Sequence, residues 1–173
     1  MFPELKSADK SNGALTSGKV GGESEHAVPI RGLKPGMAMH YAECCHPLPG
    51  DRIVGIVITG KGVIIHTIDC ETLENFTNMP ERWLDVAWDA ENDTVHVGRI
   101  RIVLANEPGS LANLTSVIGR NSGNITNLKI TDRSTDFFEL LVDIEVLDVK
   151  QLTNIAAGLR ATPEVISVSR DQH

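Results

Sequence analysis

Aromatic side chains are scarce: Phe, Trp and Tyr make up 4% of the 173 residues. Any core must therefore be assembled from Ile, Val and Leu. Long apolar runs are missing as well. None approaches the ~18 residues that suggest a membrane span, so none is expected. Positive charge is in deficit, with a net charge of −7. General affinity for nucleic acid or an anionic membrane should be weak unless a local patch opposes it. The deficit is uneven: residues 1–98 carry 8 basic and 14 acidic side chains, net −6, whereas residues 99–173 carry 8 and 9, net −1. The opening residues lack the apolar stretch of a secretory signal. Cysteine is rare too. Three cysteines, an odd number without export, fit a reducing cytoplasm and point to metal or thiol chemistry rather than a disulfide framework.

What is present divides the chain. Residues 7–26, SADKSNGALTSGKVGGESEH, are rich in Ser, Gly and charge. They read as part of a flexible linker over 1–27, and a linker there suggests the tail of a longer protein. A first unit is expected over 28–94. RIVGIVIT (52–59) and VIIH (63–66) are β-branched runs joined by a glycine turn, hence a hairpin. TIDCETLENF (67–76) predicts a short helix capped by Thr67 or Asp69, and RWLDVAWD (82–89) predicts a further strand. The polar stretch 90–94 reads as a hinge. A second unit, 95–173, has the order βαββαβ, the ferredoxin-like arrangement. Its first helix predicts a stripe of Leu111, Leu114 and Ile118, with Gly123 as a left-handed cap. Its central strand alternates, with Phe138, Leu140, Val142, Ile144 and Val146 inward and Glu139, Asp143 and Glu145 outward. Asp148 caps a second helix striped by Leu152, Ile155, Ala156 and Leu159. The fold class is α+β.

GIVITGKG (55–62) nearly spells a phosphate loop. The chemistry argues against it. Position 62 is Gly, so no hydroxyl reaches magnesium, and strands flank the glycines where a helix N-terminus would have to face the anion.

The cysteines are Cys44, Cys45 and Cys70, with His66 four residues before the last. Three sulfurs and one imidazole suit tetrahedral zinc, and with four protein ligands the site would be structural. Adjacent cysteines can share one metal if they lie on a turn, and Pro47 and Pro49 keep the following segment out of regular ladders. The other reading is that three small thiols are simply buried in a reduced protein.

At these residues the chain resembles a known family. CCHPLPGDRIVGIVITGKGVIIHTIDCETL is similar to the zinc-finger-like, or RIS, segment of long RelA/SpoT homologues, the (p)ppGpp synthetase/hydrolases. NEPGSLANLTSVIGRNSGNI resembles an ACT domain. The resemblance implies zinc ligands Cys44, Cys45, His66 and Cys70, and a small zinc-finger-like αβ module followed by an ACT domain. It also implies that the catalytic hydrolase and synthetase domains belong to an upstream part of the same protein. This segment would then be the non-catalytic regulatory tail of a stringent-response enzyme.

ACT domains bind small effectors, often amino acids, between two copies. The matching positions are Asn106, Pro108, Gly109 and Asn124, with Ile125 beside the last. Elementary chemistry supports them. Gly109 lets the backbone approach a ligand. The N–H groups of Ser110, Leu111 and Ala112 open a helix and can hold a carboxylate. Asn106 and Asn124 could accept from an ammonium group, and Leu104 with Ile125 would wall the pocket. An apolar wall suits valine, isoleucine or leucine. The same residues also spell an ordinary turn and helix exit, which leaves a purely structural or partner-docking role open. The expected assembly is a homodimer through the ACT domain. Competing partners are the ribosome, touched through Lys34, Arg52 and Lys61, and a phosphotransferase-system protein docking on Glu139, Asp143 and Glu145. A metalloenzyme with Asp69 or Glu71 as base is disfavoured, because those carboxylates better suit a helix start.

Overall fold

The computed structural model describes residues 29–90 and 93–172. The linker expected over 1–27 lies outside the described residues, as does part of the turn at 90–94.

In the first unit, strand β1 (Ile30–Arg31) pairs with β6 (Ala87–Trp88). A second sheet holds β2 (Met39–Tyr41), β3 (Ile53–Ile58), β4 (Gly62–Thr67) and β5 (Trp83–Leu84), in the order β2-β4-β3-β5. Strands β3 and β4 form the expected hairpin, in register from Ile53↔Thr67 to Ile58↔Gly62. Its turn needs glycine: Gly60 and Gly62 have φ of +82° and +95°, and a Cβ on Gly62 would run into the Ala38 carbonyl. That geometry disposes of the phosphate-loop reading. Alternation then makes two small cores. Ile53, Val63 and Ile65 face one side with Ile30 and Val86. Ile56 faces the other, against Cys45, Cys70 and Leu73.

Two expectations fail here. The segment 82–89 is not one strand but two short ones in different sheets, because the chain bends between Leu84 and Ala87. The helix after β4 is a 3₁₀ turn, Glu71–Phe76, with Cys70 as its N-cap residue and no side-chain cap bond. Thr67 ends β4 instead, its side chain buried.

The second unit follows the expected order: β7 (His96–Ala105), α1 (Ser110–Arg120), β8 (Asn124–Arg133), β9 (Phe137–Val146), α2 (Val149–Arg160) and β10 (Val165–Arg170). The antiparallel sheet runs β10-β7-β9-β8. The core joins β7 and β9 to Leu114 and Ile118 of α1 and to Leu152, Ile155 and Leu159 of α2. Asp148 caps α2 as expected, its carboxylate accepting from the Gln151 N–H at 2.8 Å. Leu111 departs from its stripe: it is 41% exposed, and Ser110 is buried in its place. Gly123 is not the left-handed residue; Ser122 is, with φ of +61°. Gly123 is needed for space, since a Cβ there would lie 2.9 Å from Ile118, Ile144 and Ile155.

Candidate functional site

The sheet of the first unit places His66 on the same face as Ile56, since residues two apart along β4 share a face. Opposite it, residues 43–45 form a turn closed by the His46 N–H donating to the Ala42 carbonyl at 3.0 Å. Both thiols of the adjacent pair therefore reach the same imidazole. Cys44 Sγ lies 3.5 Å from His66 Nδ1 and 3.5 Å from Cys70 Sγ, and Cys45 Sγ lies 3.9 Å from His66 Nδ1. All four donor atoms fall within 4.8 Å of one another. A tetrahedral zinc with Zn–S near 2.3 Å has S–S edges of about 3.8 Å, so the donor set fits the ion in type, number and spacing.

Electrostatics separates the three thiols. Burial pushes Cys45 up to about 12, despite the Thr67 N–H donating to its sulfur at 3.4 Å. Burial raises Cys44 as well. Burial also opposes the Cys70 thiolate, but hydrogen bonds from the Thr72 side chain and backbone, together with those from Cys44 and Cys45, outweigh it and bring that thiol below its ordinary value. Burial lowers His66, holding it in the neutral form that binds metal. Thr72 escaped the sequence reading. Its signal was a hydroxyl two residues past Cys70, inside the first turn.

The second candidate site is the loop between β7 and α1. Gly109 has φ of +85°, and a Cβ there would meet nothing within 4 Å. The Ser110 amide is already taken, donating to the Glu107 carbonyl at 3.2 Å. Its hydroxyl is buried without a hydrogen-bond partner. Pro108, Leu111 and Ala112 are exposed. Leu104 is fully buried in the core, so the apolar side chain that faces solvent here is Leu111. Asn106 donates to the Ser134 carbonyl at 2.9 Å, which ties it to the β8–β9 turn. Asn124 donates to Glu145 Oε2 at 2.8 Å, and Ile125 is half-buried against the core. The two asparagines do not meet within one protomer. Asn124 opens β8 opposite Glu145, at the end of the sheet where β7 begins, and Asn106 follows the last residue of β7. On the outer face of the sheet, Arg99 grips Asp143 through two bonds of 2.6 and 3.0 Å, and Arg101 bridges Glu139 and Asp171. Asp143 is thus a buried, paired carboxylate and not a free docking charge.

Comparison with known proteins follows these two units. Residues 28–89 match the RelA/SpoT RIS domain, and residues 92–170 match the ACT domain. The chain is 37% identical over 165 residues to the GTP pyrophosphokinase rsh of Brucella ovis, covering 94% of this chain. It is 32% identical over 151 residues to the bifunctional (p)ppGpp synthase/hydrolase SpoT of Escherichia coli K12, covering 87% of this chain. The chain belongs to the RelA/SpoT family. It corresponds to the C-terminal, regulatory RIS–ACT region of RelA/SpoT enzymes, and no catalytic domain is present in it. It spans about a fifth of those relatives, 22% and 21% of their lengths. Among solved structures, the ACT domain from the GTP pyrophosphokinase of Chlorobium tepidum is 27% identical, with a TM-score of 0.40 over 44% of this chain and 99% of that one. No helix among the described residues is long and apolar enough to cross a membrane.

Proposed function

We propose that this RelA/SpoT segment senses an amino acid, valine or isoleucine, through its ACT unit and biases the upstream catalytic domains between (p)ppGpp hydrolysis and synthesis. The observation that carries the reading is the open space at Gly109 beside the start of α1. The Leu111 and Ala112 amides there suit a carboxylate, and exposed Leu111 suits a branched side chain. The site is completed by a second copy. Strand β8 is a ten-residue sheet edge paired only to β9 among the described residues. An antiparallel β8–β8 pairing about a two-fold axis brings Asn124 of one copy to the far end of β8 in the other, where Ser134 and Asn106 lie. Asn106, Pro108, Gly109, Ser110 and Leu111 of one copy then face Asn124 and Ile125 of the other. Leu104 supports the pocket from beneath.

Effector binding shifts the arrangement of ACT units only by its differential affinity. A coupling of roughly 1–3 kcal/mol gives a several-fold change in activity. Plentiful amino acid favours hydrolysis and scarcity favours synthesis. The first unit, over 28–94, holds a structural zinc on Cys44, Cys45, His66 and Cys70 in the reducing cytoplasm. Titration of the chain with valine and isoleucine by calorimetry, with mass followed by light scattering, tests the sensing role. The expected result is heat from a dimer that Asn124→Ala abolishes. No heat at millimolar ligand, with Asn124→Ala behaving like the parent, removes it. A second reading, docking of the first unit to the ribosome, draws on exposed Ile68 and Trp83 beside Arg52. Salt-dependent co-sedimentation with ribosomes separates it from the first.

A further inference from the structure

Residues 46–51, HPLPGD, leave the cysteine cluster of the first unit and complete the core of the second. Leu48 is 0% accessible to water, and its side chain belongs to the ACT core. Strand β10 ends at Arg170, opposite Ile100, so β7 runs past it. Leu48 packs over that extension. A Cβ added to Gly98 would lie 3.2 Å from Leu48 and 3.0 Å from Leu152. Gly98 is thus the floor of a socket that the first unit fills.

Polar bonds lock the segment in place. Asp51 accepts from the Leu48 N–H at 2.7 Å and from both terminal nitrogens of Arg170, at 2.7 and 2.6 Å. Arg170 also donates to the His46 carbonyl at 3.0 Å. The Val149 N–H, the first of α2, donates to the Pro49 carbonyl at 2.9 Å. The Trp88 indole donates to the Asp51 carbonyl at 3.1 Å. The Asp51 and Arg170 side chains are 13% and 20% exposed, so this two-pronged ion pair is poorly screened. Pro47 and Pro49 fix their own φ, and a turn closes from the Asp51 N–H to the Leu48 carbonyl at 2.9 Å. Only His46 and Pro47 separate Leu48 from Cys45, which is itself 0% exposed. There is no slack in which a displacement of Cys45 could be absorbed.

We infer that this strap couples the units mechanically: the packing of the ACT core around Leu48 governs how readily the cysteine cluster opens. Coupling is reciprocal, so the state of the cluster is felt in turn at Gly98 and at the start of α2. The inference goes beyond effector sensing and requires neither an effector nor a metal. It assigns Leu48, Asp51, Gly98 and Arg170 as positioning residues for a thiol cluster with which none of them shares a hydrogen bond.

The experiment measures iodoacetamide labelling of Cys45 in the reduced chain under chelator, read by peptide mass spectrometry. Two variants perturb the strap from the ACT side, Arg170→Met and Gly98→Ala. Ile118→Val, in the same core but on α1, serves as the control, with temperatures adjusted to equal distance below each unfolding midpoint. Local opening sets such rates; the strap variants are expected to label Cys45 about tenfold faster than the parent, and Ile118→Val at the parent's rate. Leu48→Val gives the same result from the strap itself, should Gly98→Ala fail to fold. If the strap variants label at the control's rate, or the control accelerates as much as they do, the coupling is overturned.

Discussion

The two units reach stability by different routes. The ACT unit has one continuous core of sixteen buried residues, all apolar, fifteen of its own and Leu48 from the first unit. The first unit divides its interior into two cores of five buried residues each, one of which includes Cys45 and Cys70. A core that small rarely holds a domain together, and small units commonly add a metal or crosslink. The comparison teaches that the first unit is weakest as an apolar core where it gathers its metal-type donors. It also explains why this unit lends Leu48 to its neighbour: the larger core stabilises the smaller one through the strap.

The largest expected effect concerns zinc. Stripping it from a zinc-loaded chain should lower the unfolding midpoint of the first unit by roughly 10 °C or more, because structural zinc contributes much of the folding energy of small units. Hydrogen exchange should accelerate across 39–76, while the ACT unit changes only beside the strap. Cobalt substitution read by its thiolate charge-transfer absorption checks the ligand set, and Cys70→Ser should abolish that band. An equal loss of protection throughout the ACT core would break the contrast between the units.

Next in size, Ile155→Ala should cost about 2–5 kcal/mol by denaturant unfolding, since it opens a cavity in the large core. Because no cysteine or histidine stands in that core, the loss should be nearly the same with and without zinc. Gly123→Ala should follow at about 1–3 kcal/mol, because the added methyl is forced against three isoleucines.

The smallest effect is electrostatic. Hydrogen bonding from Arg99, opposed in part by burial, holds the Asp143 carboxyl below its ordinary range. A depressed carboxylate contributes stability above its unfolded pKa of about 3.9 and loses it as pH falls through the lower folded value. Asp143→Asn should therefore cost about 1 kcal/mol at neutral pH. The difference from the parent should hold down to about pH 4, then shrink and vanish in stronger acid. A difference that grows on acidification would reverse the assignment.

Periodicity made the ACT unit legible. The alternation of Phe138 to Val146 and the stripe of Leu152, Ile155, Ala156 and Leu159 fall on the core as expected, because long regular elements bury one face. The first unit was less legible. Its elements are short, so the bend in 82–89 and the 3₁₀ geometry at 71–76 depend on contacts distant in sequence. Gly123 shows the limit of local reasoning. Its place after a helix suggested a conformational role, whereas its purpose is clearance from residues on three other elements. The four metal-type residues were legible as a set because their donor chemistry is specific, but their mutual distances were not.

The sequence by itself determined the βαββαβ order, the glycine hairpin and the family, since these rest on local periodicity, turn chemistry and motif spacing. Only the tertiary structure decided that two adjacent thiols converge on His66, that Asn106 and Asn124 stand at opposite ends of one sheet, and that Leu48 serves the neighbouring core. The physical reason is the same in each case: these facts are set by how strands pair and layers pack across the chain, and no short stretch of residues encodes that alone.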